Sequence, residues 1–368
     1  MIKLASETLR HPARAVLRVK QLLDGDEPLS MGTHCVWFEN EFAKKQERKY
    51  AVLVNSGSSA NLVLIQAMMN LGRLKAGDWV GVSAVTWPTN VMPLIQLGLV
   101  PVAIDVEVDT LNVSAGLMNE RSLGMKAMFL TNALGFCDDI AKLKSLCENY
   151  GIPILEDNCE SLGSRFDDTL LGNWGAASTF SFYVGHHLST IEGGMICTDD
   201  DELYEACVKA RSHGWAKRGD FTFHDLAYNV RPTEITGVLG LDQIRHWDDV
   251  ATKRVHNFGR LYDAASTNTQ LRQWRFDPRL LPSPFAFPVL SEIHHVAYKG
   301  RFREAGVEIR PIIAGDITQQ PFWKKYVPEQ RPCFNARTIG LYGFYFACRP
   351  DLTEPELRLL EGLLEKQV

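Results

Sequence analysis

The sequence lacks any uninterrupted apolar stretch of about 18 residues, the length that a membrane-spanning helix requires. Its first residues, Met1 to Glu7, already mix polar and apolar side chains and contain no apolar core of a secretion signal. Lys and Arg are spread along a chain with a formal net charge of -5, which argues against nucleic acid as a partner. These absences predict a cytoplasmic protein that binds neither a membrane nor nucleic acid.

Cysteine occurs eight times, but no C-x-x-C pair and no spacing typical of a disulfide framework is present. In a chain of this composition, such dispersed cysteines are expected to be reduced thiols that are mostly buried. The pattern predicts neither disulfides nor a metal site.

Strands and helices alternate up to about residue 245. Four short apolar runs predict buried parallel strands, at residues 79–85, 100–105, 127–131 and 154–157. Between them, Ile140, Leu143, Cys147 and Tyr150 recur at helical spacing until Gly151 ends the pattern. The alternation predicts a doubly wound α/β domain over residues 1–245, including an N-terminal segment.

The chain changes character after residue 245. Four prolines at positions 278, 282, 284 and 288 predict loops and short strands. Thr353 and Glu356 form a capping-box pattern ahead of Leu357, Leu360 and Leu364, which share one helical face. We therefore predict a smaller C-terminal α+β domain over residues 246–368.

Two short segments indicate a binding site for an anionic ring compound. A Ser/Gly turn at residues 54–61 precedes an apolar helix, whose free N–H groups and dipole attract phosphate, although Ser58 or Ser59 could simply cap that helix. Asp157 follows a predicted strand, where α/β sheets place ligand-binding groups. Its carboxylate could hold a pyridine nitrogen protonated, or it could be an ordinary turn aspartate.

Taken in order and spacing, a set of motifs resembles the sugar aminotransferase family of fold-type I pyridoxal-phosphate enzymes, over roughly residues 30 to 245. The motifs are Phe38-Glu39-x-x-Phe42-Ala43, Asn55-Ser56-Gly57-Ser58-x-Ala60, the run from Glu156 to Gly163, Ser181-Phe182, Glu192-Gly193-Gly194 and Tyr228-Asn229. The resemblance implies an aspartate-aminotransferase-like fold and a homodimer with shared active sites.

The resemblance also assigns cofactor-binding residues. Gly57, Ser58 and Ser181 would bind the phosphate of pyridoxal 5′-phosphate or pyridoxamine 5′-phosphate. Trp87 would stack on the pyridine ring, and Asp157 would pair with its nitrogen. The other two assignments are Asn229, reaching the phosphate from the neighbouring subunit, and Glu160, at a cofactor position where the family usually has Gln or His.

His186 is the decisive departure from the family pattern. It stands five residues after Ser181, where the aminotransferases have the lysine that bonds to the cofactor. Histidine can transfer protons but cannot form that bond. Family members with a His-His pair resemble the 3-dehydratases of dideoxysugar synthesis, which supply sugars such as colitose to the lipopolysaccharide O-antigen.

This resemblance implies a carbon–oxygen lyase that removes the C3 hydroxyl from a nucleotide-linked 4-keto-6-deoxyhexose. GDP-4-keto-6-deoxymannose is the favoured substrate, and L-glutamate would regenerate the amine form of the cofactor. His186 would be the catalytic proton shuttle. His187 would act directly or position the ring, and His213 would contact the substrate.

Three alternatives stay open at this point. An aminotransferase would need another lysine, and the sequence has none between Lys144 and Lys209. An iron–sulfur dehydrase would need a compact cysteine cluster after the His-His pair, whereas the later cysteines are far apart. A non-catalytic cofactor-binding protein would not need to keep Trp87, Asp157 and Ser181 together.

Overall fold

The computed structural model describes residues 1–5, 9–215 and 221–368. Its strands are β1 (Tyr50–Val54), β2 (Trp79–Ser83), β3 (Val100–Ile104), β4 (Met125–Thr131), β5 (Ile154–Asp157), β6 (Arg165–Phe166), β7 (Thr169–Leu170), β8 (Ala177–Ser181), β9 (Gly194–Thr198), β10 (Leu280–Leu281), β11 (Ala286–Leu290), β12 (Ile309–Arg310) and β13 (Gly343–Ala347). Its α-helices are α1 (Pro12–Leu23), α2 (Thr33–Gln46), α3 (Gly57–Asn70), α4 (Met92–Gln96), α5 (Ala115–Asn119), α6 (Ile140–Asn149), α7 (Asp201–Arg211), α8 (Glu234–Gln243), α9 (Trp247–Ser266), α10 (His295–Glu304), α11 (Pro321–Tyr326), α12 (Phe334–Tyr342) and α13 (Glu354–Glu365).

The central sheet has the strand order β1-β9-β8-β5-β4-β2-β3. Strands β8, β5, β4, β2 and β3 are parallel to one another, whereas β9 is antiparallel to both β8 and β1. The four predicted strands correspond to β2, β3, β4 and β5, which confirms the predicted α/β class. The antiparallel β9 was not predicted, so the sheet is mixed and mostly parallel.

This strand order brings the ends of several strands to one edge of the sheet. The carboxyl ends of β1, β5 and β8 lie there, and Gly194, the first residue of the reversed β9, pairs with Val54 and Ser181 at the same edge. The segment that follows β1, the last residue of β5 and the last residue of β8 therefore become neighbours. That is the place where open α/β sheets bind ligands.

Helix α2 carries the first motif, Phe38-Glu39-x-x-Phe42-Ala43. Phe38 and Phe42 pack their rings against Phe182, at centroid distances of 5.3 Å each. On the same helix, Glu39 Oε1 accepts hydrogen bonds from the Leu53 backbone N–H (2.7 Å) and from Arg211 Nη1 (2.5 Å). The helix is thus attached to β1 and to α7, and it holds the Ser181-Phe182 motif from behind by aromatic packing.

The C-terminal part contains a second sheet of order β11-β13-β12. The predicted capping box of α13 is confirmed, because the Thr353 hydroxyl accepts from the Glu356 backbone and the Glu356 carboxylate accepts from the Thr353 backbone. Ile2 forms a parallel bridge with Val307, so the first residues of the chain contact this C-terminal part. The division of the chain at residue 245 stays a prediction.

In the described ranges, no helix combines the length and the apolar character needed to cross a membrane.

Candidate active site

A cavity of about 280 Å³ opens at the carboxyl edge of the central sheet. Seven of the nine residues singled out from the sequence line it: Gly57, Ser58, Trp87, Asp157, Glu160, Ser181 and His186. They come from segments that are up to about 130 positions apart, and the sheet topology alone brings them together. The predicted residues therefore form one site.

The turn before α3 forms a cradle that fits a phosphate group. The Ser56 hydroxyl caps the helix by accepting from the Ser59 backbone N–H (3.0 Å), so neither Ser58 nor Ser59 is the cap. Ser58 is exposed and lines the cavity. A Cβ atom on Gly57 would lie 2.8 Å from the Ser181 Cβ, which means that only glycine lets these two segments approach so closely. The N-terminus of α3 is left open to an anion.

Asp157 lies at the floor of the cavity and is nearly fully buried. Its Oδ1 accepts from the Cys159 backbone N–H (2.9 Å). Burial raises the pKa of Asp157, and this hydrogen bond and the neighbouring amides of Asn61 and Asn90 oppose that rise. The carboxylate is positioned to pair with a cationic group such as a protonated ring nitrogen.

Glu160 occupies the wall of the cavity near Leu134. Its Oε2 accepts from the Leu134 backbone N–H (2.9 Å), in a turn where Leu134 adopts a positive φ of 54°. Burial raises the pKa of Glu160 to about 7, and the charge of Asp157 adds to this rise. At neutral pH, Glu160 can therefore either donate or accept a proton.

His186 also lines the cavity, and its ring lies 5.2 Å from the ring of Phe285, measured between centroids. Its Nδ1 is buried and has no hydrogen-bond partner among the described residues. Burial, and to a smaller extent the positive charge of Arg254, lower the pKa of His186 to about 4. The imidazole is thus neutral at physiological pH and able to accept a proton.

His187 is turned away from the cavity and does not line it. It is buried, and its Nε2 lies 2.8 Å from the Ser283 carbonyl oxygen, so this nitrogen must carry the proton and donate it. Burial and the charge of Arg254 lower its pKa well below the usual value. Of the two roles predicted for His187, the geometry supports ring positioning and packing.

The comparisons with known proteins agree with this site. Residues 12–361 match the DegT/DnrJ/EryC1/StrS aminotransferase family. The chain belongs to this family. Among its relatives, the GDP-4-keto-6-deoxy-D-mannose 3-dehydratase of Escherichia coli O55:H7 is 32% identical over 330 residues, 84% of this chain and 85% of that protein.

Solved structures of that kind of enzyme superpose on the whole fold. The E. coli GDP-4-keto-6-deoxy-D-mannose-3-dehydratase with bound hydrated PLP has a TM-score of 0.92 at 30% identity and covers 99% of each chain. A GDP-4-keto-6-deoxymannose-3-dehydratase with a trapped PLP-glutamate geminal diamine also has a TM-score of 0.92, at 29% identity, over 99% of this chain and 100% of that one. These similarities confirm the predicted fold type and the pyridoxal-phosphate cofactor class.

Two of the predicted family residues lie outside the cavity. Asn229 is exposed, and its Oδ1 accepts from Arg231 Nε (3.0 Å). His213 is also exposed and contacts Trp215, with ring centroids 5.4 Å apart. Neither side chain reaches the site of its own subunit, and their roles in cofactor or substrate binding stay predictions.

Several residues of this family member's cavity were not predicted from its sequence. Arg310, Ile313 and Tyr345 come from the C-terminal part, and Phe285 from the proline-rich segment before β11. No local motif marks them, because they lie about 100 to 160 positions after His186 in the sequence. Strand β12 has only two residues and all five residues of β13 are buried, so neither strand has an alternation that shows which residues face the site.

The cysteines of this family member are all free, and only Cys159 is not buried. Within the described residues, one group has potential metal-ligand geometry: Glu27, His34 and Glu234. Its buried member, Glu234, already accepts hydrogen bonds from the backbone N–H groups of Gly32 (2.6 Å), His34 (2.9 Å) and Cys35 (3.1 Å), where α2 begins. The carboxylate thus serves the N-terminus of a helix, which accounts for its burial without a metal.

Proposed function

We propose that this protein is a pyridoxamine-phosphate-dependent lyase that removes the C3 hydroxyl from GDP-4-keto-6-deoxymannose. The observation that carries the proposal is that His186, which the family resemblance aligns with the cofactor-binding lysine, lines a cavity that no lysine lines in the described part of the chain. The similarity to 3-dehydratases over nearly the whole chain supports the reaction and the GDP-linked sugar.

The residues of the cavity fit the cofactor. The Gly57–Ser181 cradle and the exposed Ser58 would bind its phosphate, the half-exposed Trp87 would stack on its ring, and Asp157 would pair with its nitrogen. Asp157 already lies at a depth where water is largely excluded, so its charge acts strongly on a neighbouring cation. The set holds the cofactor without a covalent bond.

When bound in its amine form, the cofactor supplies an amine for the C4 ketone of the sugar and a ring that accepts electrons. His186 starts the reaction as a neutral base, because its pKa of about 4 leaves it unprotonated. It takes the proton from the carbon next to the cofactor ring and then, as imidazolium, donates toward the leaving C3 hydroxyl. Glu160, with a pKa of about 7, holds a second exchangeable proton beside the same space.

L-Glutamate would restore the amine form, so that one ammonia and one 2-oxoglutarate are released for each sugar that is deoxygenated. The solved relative with a trapped PLP-glutamate adduct supports glutamate as the donor. Arg310 lines the cavity. It also forms an ion pair with Glu308, whose Oε1 lies 3.0 Å from Arg310 Nη2. We assign to Arg310 the binding of an anionic group of glutamate or of the sugar nucleotide.

The decisive experiment is product analysis with the purified protein, pyridoxamine phosphate, L-glutamate and a panel of nucleotide-linked 4-keto-6-deoxy sugars. We expect a 3-deoxy-4-keto sugar and equimolar ammonia, with the GDP-mannose derivative turned over fastest. His186→Asn is the matched control and should give neither product. An amino sugar that accumulates without ammonia would instead make the protein an aminotransferase.

We further propose that the active protein is a homodimer, as the resemblance implies. Trp87 (55% exposed) and Tyr183 (53%) line the cavity, and Ile191 (48%) directly precedes the lining residue Glu192; exposed apolar side chains of this size favour coverage by protein. Asn229, which is exposed and does not line its own cavity, would then reach the site of the neighbouring subunit.

Complementation between variants tests this arrangement. His186→Asn and Asn229→Ala homodimers should each be nearly inactive. Subunits mixed after dissociation should regain about a quarter of wild-type activity, because half of the dimers carry one site with both residues intact. No recovery in verified heterodimers would place Asn229 in its own subunit's site or outside catalysis. A role in colitose synthesis in the cytoplasm belongs to the same proposal.

A further inference from the structure

Arg254 is a buried arginine on α9 that lies outside the cavity. It is 2% exposed, and its Nη1 donates to the carbonyl oxygens of Pro284 (2.8 Å), Phe285 (2.8 Å) and Cys348 (3.3 Å). Its Nε has no hydrogen-bond partner among the described residues. Burying a cation with carbonyl oxygens as its partners is expensive, so a packing role alone is a poor account of this residue.

The segment that Arg254 binds contacts both histidines of the His-His pair. Ser283 accepts the hydrogen bond from His187 Nε2 (2.8 Å), and the Phe285 ring lies 5.2 Å from the His186 ring. The Phe285 backbone N–H donates to the Leu134 carbonyl (2.9 Å), and the Leu134 N–H donates to Glu160. One guanidinium therefore fixes a segment that reaches both proton-carrying groups of the cavity.

We propose that Arg254 is a positioning residue for His186: it fixes the 283–285 segment against both histidines and places a positive charge behind the His186 ring. The proposal deepens the proposed function and rests on it, since it takes His186 to be the proton carrier. Arg254 touches no cavity surface, so its effect is exerted through the segment and through its charge.

The charge of Arg254 favours the neutral form of His186. Burial lowers the pKa of Arg254 to about 10, which leaves it protonated at neutral pH. A fixed cation disfavours a second positive charge nearby, so it keeps His186 neutral and ready to accept a proton. The other charged side chains that line the cavity with His186 are Asp157, Glu160, Glu192 and Arg310. Arg254 and His187, which do not line the cavity, are the charged or titratable groups on the buried side of His186.

The test compares three variants as holoenzymes with pyridoxamine phosphate. Arg254→Met removes both the fork of hydrogen bonds and the charge, whereas Arg254→Lys keeps the charge and loses the fork. Lys253→Met is the matched control, because it removes a neighbouring positive charge from the exposed side of α9, where Lys253 pairs with Asp249 (2.9 Å). The pKa of His186 is measured by NMR with labelled histidine, assigned through His186→Asn, alongside the pH profile of kcat.

In Arg254→Met we expect the His186 pKa to rise by about one unit or more, and the acid limb of the kcat profile to move up by the same amount. Arg254→Lys should keep the pKa near the wild-type value and lower kcat at least about tenfold, because a single ammonium cannot fix three carbonyl groups. Lys253→Met should match the wild type in both measurements.

An unchanged His186 pKa and an unmoved acid limb in Arg254→Met would overturn the proposal and leave Arg254 a structural residue. If Arg254→Met does not fold, Arg254→Lys decides: wild-type kcat with only a lower melting temperature would overturn it. The NMR titration does not depend on the sugar. If the wild type deoxygenates no sugar but the His186 pKa still rises in Arg254→Met, the result would therefore contradict the proposed function and not the link between Arg254 and His186.

Discussion

In the proposed function, residue 186 decides which reaction this cavity can carry out. A lysine there would bond to the aldehyde form of the cofactor, whereas the neutral imidazole of His186 can only accept and return protons. Burial and Arg254 together keep that imidazole unprotonated. Asp157, Ser181 and Trp87, which we propose to face the cofactor, all line the cavity with His186, so we expect the residue at position 186 to alter the chemistry and to leave cofactor binding intact.

A lysine placed at position 186 should form a covalent bond with pyridoxal phosphate. In His186→Lys we expect borohydride reduction with pyridoxal phosphate to add the mass of the cofactor to the peptide that contains residue 186. Deoxygenation should fall about a hundredfold or more, because an amine that has bonded to the cofactor is no longer a free proton carrier. His186→Asn, reduced in the same way, should lose activity and carry no added mass. A cofactor found on any other lysine of His186→Lys would show that residue 186 does not face the ring.

Seven residues of the site were predictable because they lie in local motifs whose order and spacing are specific. Arg254, Phe285 and Arg310 were not, since nothing near them in the sequence shows that they approach His186. A buried arginine bound by carbonyl groups has no sequence signature, because its partners are backbone atoms. Long-range proximity is therefore what the structure adds at this scale.

The element that matters most for the cradle is the turn of Glu192, Gly193 and Gly194 that leads into β9. A Cβ on Gly194 would lie 2.6 Å from the backbone nitrogen of Gly57, so the turn presses directly on the start of α3. Gly193 O accepts from the Phe182 backbone N–H (2.9 Å), which attaches the same turn to the end of β8. The glycine pair thus sets the distance between the phosphate cradle and the Ser181-Phe182 motif.

Replacing Gly194 with alanine should therefore weaken cofactor binding. We expect the dissociation constant for pyridoxal phosphate to rise at least about tenfold, since the added methyl must displace the backbone that forms the cradle. Absorbance titration of the apoprotein measures it. Gly362→Ala in α13 is the matched control, because its Cβ would meet no atom within 4 Å, and it should bind cofactor as the wild type does. Equal affinity for pyridoxal phosphate in both variants would show that the turn does not contribute to phosphate binding.

Strands with continuous apolar runs, such as β4 and β5, were predictable, and so was the capped helix α13. Strand β8 was missed because Ser178, Thr179 and Ser181 interrupt its apolar pattern, although Ser178 and Thr179 are fully buried. The reversed direction of β9 was missed for a different reason: periodicity shows which residues are buried and not which way a strand runs. Strand β8 ends and β9 begins at the edge of the sheet where the cavity opens, so the least predictable strands are also the ones that border the candidate site.

For the molecule as a whole, the two proton-carrying groups of the cavity have opposite effects on stability. The folded state holds a proton on Glu160 more tightly than the unfolded chain does, so the contribution of Glu160 is lost as pH rises from about 4.5 to about 7. His186 holds its proton less tightly when folded, so its contribution grows as pH rises from about 4 to about 6.5. The two contributions largely cancel over the same interval, and wild-type stability should depend only weakly on pH there.

Single variants should separate these contributions. Relative to the wild type, the free energy of unfolding of Glu160→Gln should rise by about 2 kcal/mol between pH 4.5 and pH 7, a value reduced from the full shift because Glu160 is partly open to solvent. His186→Asn should show the reverse trend, gaining relative stability at low pH. Urea unfolding of the apoproteins at fixed protein concentration and several pH values measures both. Profiles parallel to that of the wild type would mean that these two groups titrate normally in the folded protein, and Glu160 would then be a plain carboxylate at neutral pH with no proton to give.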